Sequence, residues 1–310
     1  MTGMRGAVAW RCVQVGSLAM AAAVGGWWGA HVGAAAGGLA ALAVLLAPAW
    51  LLACQSAWSA RLNREDVLTW RQRGRAWAVE WWWNQRVFGW QQPWRADACP
   101  DTVAPLDRRG VLLVHGHLCT RAFWLPWLRR LQAAGVPFAT VELWPPWQDI
   151  DATAPAIDAA LRRLTALTGR APVVLAHSKG GLNVRAWRRW AAQRGETAPE
   201  RRVHALITAG TPHRGTLLAL SALGRSARQM QPGAPWLQAL AASEPPGWRR
   251  RIGCVASAAD AVVYPTSLAT LDGAATRKVT DAPHIELAFG PAVAGWLWAA
   301  LDGPDDGLPW

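Results

Sequence analysis

One long stretch of this sequence, from Val13 to Ala53, is almost free of charge. It is too long for the hydrophobic core of one signal peptide, which has about 7 to 15 residues. A bilayer crossing takes about 20 apolar residues, so the stretch predicts two short membrane spans, Val13 to Trp28 and Val32 to Ala53. The glycines and alanines of the first span would let the two helices approach closely. The tight turn between the spans is expected at Trp27, Trp28 and His31.

Arginines flank the two expected spans on the same side. Arg5 and Arg11 precede the first span, and five arginines follow the second: Arg61, Arg64, Arg71, Arg73 and Arg75. Positive residues stay on the cytoplasmic side of a membrane. We therefore expect residues 1–60 to anchor the protein as a hairpin in a bacterial inner (cytoplasmic) membrane, with the remaining domain in the cytoplasm. The alternative is a single span at Val32 to Ala53, which would place the two ends on opposite sides.

The chain has 23 tryptophans, one tyrosine and a net charge of +12. Amphipathic rings beside arginines are typical of the lipid headgroup region. No nucleic-acid-binding motif accompanies the positive charge, so we expect a membrane surface, and no nucleic acid, as the partner. The alternative is that codon bias accounts for the many tryptophans and arginines. In residues 61–105 we predict an amphipathic helix along the membrane, Asp66 to Phe88, then an extended linker, Gln91 to Pro105. An ordinary helix packed on the soluble domain is the alternative.

From Gly110 onward, short apolar strands alternate with helical patterns, which predicts a mostly parallel sheet with helices on both faces. In such a sheet, functional sites form at the carboxyl ends of the strands. The expected strands are Val111–Val114, Phe138–Leu143, Val173–Ala176, Val203–Ala209, Arg251–Ala256 and Lys278–Thr280. The expected helices are Phe123–Ala134, Ala154–Thr168, Gly180–Gln193 and Pro291–Leu301. This body, residues 106–303, is the expected catalytic domain, and residues 304–310 are a tail.

One strand end carries a serine among small residues, in the stretch VVLAHSKGGL from Val173 to Leu182. A sharp strand-to-helix turn of this composition exposes a serine Oγ as a nucleophile, which predicts Ser178 in that role. Gly180 and Gly181 would allow the helix to approach the sheet closely. Alanine, at Ala176, occupies the place where such turns usually have their first glycine.

The stretch VLLVHGHLCTRAFW, from Val111 to Trp124, has a His-Gly pair at the end of the first strong strand. Acyl transfer needs two aimed N–H donors for the oxyanion. We expect these donors to be the backbone amides of His117 and Lys179, with Leu118 as the alternative to His117. The Lys179 side chain either attracts an anionic substrate or points into solvent, and we favour the second interpretation.

An elbow serine needs a base and an acid, which follow it in the order serine, acid, histidine. Asp260 lies a few residues after an expected strand, and His284 is the only histidine beyond it. Asp272 and Asp281 compete with Asp260 for the acid role. Asp281 is only three residues from His284 and is expected to shape that loop.

Together with AHSKGG and VHGHLCTRAFW, the run ITAGTPHRGT from Ile207 to Thr216 resembles the α/β-hydrolase family, and more narrowly its bacterial triacylglycerol lipase and esterase branch. The resemblance covers about Gly110 to Leu301. It implies an eight-stranded type of core, here trimmed at its amino-terminal strands, and hydrolysis of carboxylic esters through an acyl-enzyme. It also implies Ser178 as nucleophile, His284 as general base and then acid, and Asp260 as the group that orients the imidazole.

Residues 217–250 interrupt the strand–helix rhythm, at a place where this family can carry a cap over the acyl pocket. The residues that would line the pocket are Leu118, Leu217, Leu218, Met230, Trp236 and Leu237. Surface helices that never move are the alternative. The five cysteines form no CxxC pair, so we expect no metal, no cofactor and a reducing compartment.

We therefore expect a membrane-anchored serine hydrolase acting on a lipid or another acyl ester. Relatives on this fold also cleave thioesters and amides, and fold alone does not choose among these substrates. A non-catalytic, membrane-tethered scaffold is the alternative from another class of function.

Overall fold

The protein is described by a computed structural model that covers residues 2–105, 107–304 and 307–310. Leu106, the expected first residue of the catalytic domain, and two residues of the expected tail lie outside this part of the chain.

The amino-terminal segment is a helical hairpin of α1 (Thr2–His31) and α2 (Ala34–Leu62). The chain reverses at Val32 and Gly33, slightly later than expected, and Gly33 has a φ of +123°, which glycine adopts without strain. A side chain at Gly37 would meet the backbone of Gly25 and Gly29, so small residues bring the helices together as the sequence predicted. Both helices are long and apolar enough to cross a membrane, and their apolar side chains are largely exposed.

The open ends of the hairpin pack on the rest of the protein. In α1, the Trp10 indole donates a hydrogen bond to the carbonyl of Leu118 at 3.1 Å. In α2, Gln55 donates to the carbonyl of Ala261 at 2.9 Å. Asn63, directly after α2, donates to the hydroxyl of Thr266 at 3.0 Å. The hairpin is therefore joined to the body at two different loops.

The tryptophan-rich segment forms α3 (Trp70–Asn84), a π-helical turn (Gln85–Gln91) and the short helix α4 (Gln92–Trp94). A capping box between Thr69 and Gln72 starts α3. Ala76 and Glu80 are buried, so α3 packs on the rest of the protein, as expected under the alternative of an ordinary packed helix. Trp70 and Trp82 are exposed.

The extended linker expected from Gln91 onward is wrong at its start, because residues 91–94 are helical. The side chain of Gln92 is buried and accepts a hydrogen bond from the Thr120 amide, which ties this segment to the loop after the first strand.

The sheet has six parallel strands in the order β2-β1-β3-β4-β5-β6. The strands are β1 Val111–Val114, β2 Phe138–Val141, β3 Val173–His177, β4 Ala205–Ala209, β5 Ile252–Ser257 and β6 Ala275–Val279. Each expected strand is present, although β6 begins three residues earlier than predicted. Thr276 and Arg277, near its start, are exposed and polar at the sheet edge, so this part of the strand lacks the apolar signal.

Helices cover both faces of the sheet. They are α5 Leu125–Ala133, α6 Ala154–Thr168, α7 Lys179–Gln193, α8 Arg225–Gln229, α9 Pro235–Ala242, α10 Pro246–Arg249, α11 His284–Leu287 and α12 Pro291–Asp302. Alternate strand residues point to opposite faces, and the core divides accordingly. Leu113 and Leu175 pack with α5 and α12, whereas Val114 and Ala176 pack with α6 and α7.

Residues 217–250 form a short 3₁₀ turn and the helices α8 to α10. Leu237 and Leu240 of α9 are buried against Leu182 and Ala186 of α7. At the carboxyl end, Trp310 packs edge-on against Trp296 with ring centroids 5.4 Å apart. The described residues of the expected tail therefore contact the body.

Candidate active site

Ser178 lies in the tight turn between β3 and α7, with φ +56° and ψ −131°. A positive φ is uncommon for a residue with a side chain, and the surrounding contacts hold it. The Ser178 amide donates to the carbonyl of Ala209 at 2.9 Å, and the Thr211 hydroxyl donates to the Ser178 carbonyl at 2.8 Å. This is the geometry of a nucleophile elbow.

Glycines provide the space that the elbow needs. A Cβ at Gly180 would approach the Val114 carbonyl oxygen to within 2.4 Å, and one at Gly116 would lie 2.8 Å from the Cβ of Ser178. Gly181 is equally close to Thr211. The close helix-to-strand approach predicted for Gly180 and Gly181 is present, with alanine at position 176 buried in β3.

Asp260 and His284 form a hydrogen-bonded pair, with Asp260 Oδ2 2.8 Å from His284 Nδ1. Asp260 follows β5 and is almost fully buried. Its second oxygen, Oδ1, accepts hydrogen bonds from the amides of Val262 and Val263 at 2.7 and 2.9 Å. Asp281 is half-exposed and pairs with Arg75 instead. Of the candidate acids, Asp260 is thus the one in contact with His284.

Burial alone would lower the pKa of His284, but the charge and hydrogen bond of Asp260 outweigh it, and the pKa is raised above the ordinary value. Gly210, which follows β4 with φ +57°, leaves room for this pair. A Cβ there would lie 2.9 Å from Asp260 Oδ2 and 3.0 Å from His284 Nδ1. Gly210 was not among the predicted site residues, and its position at a strand end was the only signal in the sequence.

His177 connects the elbow at Ser178 to the segment that carries His284. Its Nε2 donates to the main-chain carbonyl of His284 at 3.1 Å, and the two rings lie 4.5 Å apart between centroids. Phe123 stacks on the other side at 4.6 Å. Within the described residues, neither Ser178 Oγ nor His284 Nε2 makes a hydrogen bond. The structure therefore joins Asp260 to His284 directly, and it links Ser178 to them through its neighbour His177 and through the Ala209–Gly210 strand end.

The loop after β1 supplies backbone donors beside the elbow. In the part of the chain that the structure describes, the amides of His117, Leu118 and Lys179 make no hydrogen bond and are free to donate. Leu118 has φ +59°, and its carbonyl accepts the hydrogen bond from Trp10 of the hairpin. The amino-terminal helix therefore helps to fix the loop that carries two of the predicted oxyanion donors.

The Lys179 side chain is buried, so the expectation that it points into solvent is wrong. The elbow turn places it below the loop of residues 144–147, where its Nζ donates to the carbonyl of Pro146. Burial lowers the pKa of Lys179 to about 8, and Cys119 opposes this shift. Because it is 1% exposed, this ammonium group is not placed to meet a substrate arriving from solvent.

The residues expected to line an acyl pocket fall into three groups. Met230, Trp236 and Leu237 pack on α7 in one small apolar cluster, and the Trp236 indole donates to Asp151 at 2.7 Å. Leu118 is exposed in the oxyanion loop, and Leu217 and Leu218 lie in the 3₁₀ turn that follows Thr216. A cavity of about 340 Å³ is found elsewhere, between α2, α3 and His284.

Glu80 is a second carboxylate near His284 that sequence reasoning missed. It is buried in α3, and its Oε2 accepts the amide of Ile285 at 3.0 Å. Burial raises the pKa of Glu80 to about 7, with His284 opposing the shift. An acidic residue inside the apolar run AVEWWW was the available signal. The described residues contain no cluster of His, Cys, Asp or Glu suited to a metal ion.

No protein-family model matches the sequence, and no curated protein sequence is similar to it. Solved structures do resemble the fold. The mature form of lipase BlEst2 from Bacillus licheniformis superposes with a TM-score of 0.54 at 17% identity, over 65% of this chain and 96% of that one. Lipase B from Aspergillus fumigatus gives a TM-score of 0.56 at 16% identity, over 71% of this chain and 59% of that one.

At these identities the likeness concerns the fold. It agrees with the six-stranded parallel sheet and the helices on both faces. The body of this chain has the α/β-hydrolase fold, of the kind found in lipases and esterases, and a helical hairpin precedes it.

Proposed function

We propose that this protein is a membrane-anchored serine hydrolase that cleaves carboxylic esters with a Ser178–His284–Asp260 triad. The observation that carries the proposal is the buried Asp260–His284 hydrogen bond of 2.8 Å, together with a serine held at φ +56° in a strand-to-helix elbow. Acyl transfer by a triad requires both an imidazole oriented by a carboxylate and an elbow serine.

In the proposed reaction, Ser178 Oγ attacks the ester carbonyl carbon while its proton passes to His284 Nε2. The amides of His117 and Lys179, with Leu118 as the alternative donor, hold the oxyanion. Asp260 Oδ2 accepts the Nδ1–H of the imidazolium and stabilises its charge. His284 then gives the proton to the leaving alcohol oxygen. In the second half of the reaction, His284 takes a proton from water, the resulting hydroxide attacks the acyl-enzyme, and the proton returns to Ser178 Oγ as the acid leaves.

The hairpin supports the proposal of a membrane anchor. Its exposed side chains between residues 13 and 51 are mostly apolar, whereas arginines flank both of its open ends. We place the catalytic domain on the cytoplasmic face of a bacterial inner membrane because positive residues stay on that side. Lipids or other acyl esters in or near the bilayer are then the substrates within reach.

Turnover of 4-nitrophenyl butyrate by the full-length protein in detergent micelles tests the proposed activity. Ser178→Ala and His284→Ala should each lower kcat/KM at least about a thousandfold, since a triad works as a unit. Ser221→Ala, a change at an exposed serine outside the site, is the matched control. Wild-type turnover no faster than that of Ser178→Ala would contradict the proposal and favour the non-catalytic scaffold. Parallel assays with a thioester and an anilide determine which type of bond is cleaved.

A further inference from the structure

The cavity beside His284 lies next to the proposed triad, and no proposed step uses it. Its volume of about 340 Å³ falls within the ~300–1,000 Å³ typical of small-molecule pockets. Eight of its eighteen lining residues are alanine or glycine, so the space exists because the side chains around it are small. The walls are mainly apolar.

Two helix faces form its walls. On α2, Ala53, Ala57 and Ala60 line the cavity, at spacings of three and four residues that place them on one face. On α3, Ala76 and Trp77 face them. The Trp77 indole donates to the carbonyl of Ala49 at 3.4 Å, which holds the two helices together beyond the cavity.

The floor of the cavity belongs to the proposed active site. Ala259 and Ala261, the neighbours of Asp260, line it together with Pro283 and the His284 ring. Gln55 fixes α2 to this floor through the Ala261 carbonyl. An occupant of the cavity would therefore lie between the membrane-anchor helix and the base of the triad.

We propose that this cavity binds a long alkyl chain of the ester substrate, with the ester end at His284. The assignment rests on the proposed ester hydrolysis and names its substrate class. Apolar walls favour methylene groups over water, and α2 continues from the cavity into the apolar span, so an alkyl chain of a membrane lipid has a direct route to the imidazole. Both the acyl and the alcohol side of an ester pass near His284 during proton transfer.

The test fills the cavity and measures chain-length preference with the full-length protein in micelles. Ala57→Phe and Ala60→Phe place a ring in the cavity from α2. Ala78→Phe is the matched control, since Ala78 is exposed on α3 and does not line the cavity. Turnover is compared for 4-nitrophenyl dodecanoate against 4-nitrophenyl acetate, and for dodecyl acetate against ethyl acetate.

Both filling variants should lower the long-to-short ratio at least tenfold in one of the two series, which also identifies the side of the ester that occupies the cavity. The Ala78→Phe ratio should equal that of the wild type. Unchanged ratios for both filling variants in both series would overturn the proposal.

A second readout does not depend on turnover. Ser178→Ala protein is irradiated in separate samples with dodecyl acetate and with ethyl dodecanoate, each carrying a diazirine in its twelve-carbon chain, and labelled peptides are identified by mass spectrometry. Label on residues 258–261, which lie in the body rather than in the hairpin, should appear with at least one probe and be lost in Ser178→Ala/Ala57→Phe. Label without any ester turnover by the wild type would sink the proposed activity but keep the cavity assignment, whereas absence of label there with both probes would overturn that assignment.

Discussion

When it is ionised, Glu80 adds a negative charge to the surroundings of His284, and burial raises the pKa of Glu80 to about 7. This carboxylate lies outside the predicted triad. The pKa of His284 is raised although burial opposes it, first through Asp260 and then through the charge of Glu80. His284 must be neutral to take the serine proton, so activity should fall as the pH drops through the pKa of His284.

We predict that Glu80→Gln moves the acid limb of the kcat/KM profile to lower pH, by about one unit at most, which corresponds to about 1.4 kcal/mol. Glutamine keeps an oxygen for the Ile285 amide but loses the charge that raises the pKa of His284. The profile of ester turnover between pH 5 and 9 provides the measurement. Glu65→Gln, at an exposed glutamate bound to Ser267, is the control, and coincident profiles for Glu80→Gln and the wild type would refute a charge effect.

The Asp260–His284 pair and the elbow were predictable at the level of single residues because chain order and small neighbours constrain them. Lys179 was not, because a lysine gives no sequence signal that its ammonium group will reach a buried carbonyl, here that of Pro146. Glu80 escaped prediction for a related reason. Its burial depends on where α3 packs, and the composition of that segment fits a membrane surface equally well.

At the scale of elements, the hairpin depends on close contact between backbones. The ideal Cβ of a residue at position 37 would lie 2.5 Å from the Gly25 carbonyl oxygen and 2.8 Å from the Gly29 Cα. These neighbours are main-chain atoms and cannot turn away, so any side chain at Gly37 must separate the helices. Gly38 has nothing within 4 Å of the same position.

We expect Gly37→Ala to destabilise the hairpin by about 1 to 3 kcal/mol, the usual cost of overpacking, and Gly38→Ala to have little effect. Titration of the full-length protein from mild detergent into SDS, followed by circular dichroism, measures the midpoint of helix loss. A lower midpoint for Gly37→Ala alone is the expected result. Equal midpoints for the two variants would show that this contact does not hold the hairpin.

Elements with a strong apolar pattern were predicted well, and elements that depend on tertiary contacts were not. The helix Ala154–Thr168 has the predicted bounds, and β1 does as well, because each is bounded by turn residues and buried on a clear face. By contrast, β6 starts among exposed residues, and the segment from Gln91 became helical because Gln92 bonds to the Thr120 loop.

At the scale of the whole molecule, the hairpin is clamped to both sides of the proposed site, through Trp10 at the Leu118 loop and through Gln55 at the Asp260 loop. The hairpin and the α/β body therefore form one packed unit. The protein as a whole has a net charge of +12, which would suit an anionic membrane surface.

The proposed topology predicts which surfaces a membrane-impermeant maleimide can reach in bacterial spheroplasts. In a background with Cys12 and Cys54 changed to serine, Val32→Cys at the hairpin turn should react in intact spheroplasts. Leu223→Cys, whose position is 94% exposed on the body, should react only after permeabilisation. Labelling of Leu223→Cys in intact spheroplasts would place the body outside and contradict the cytoplasmic assignment.

The most direct test of the triad is the reaction of the full-length protein with a fluorophosphonate, followed by peptide mass spectrometry. We predict one phosphonyl adduct, on Ser178. Its formation should be abolished by Ser178→Ala, strongly slowed by His284→Ala and unchanged in rate by Ser221→Ala. A wild-type protein that forms no adduct, or a Ser178→Ala protein that is labelled equally fast, would contradict it.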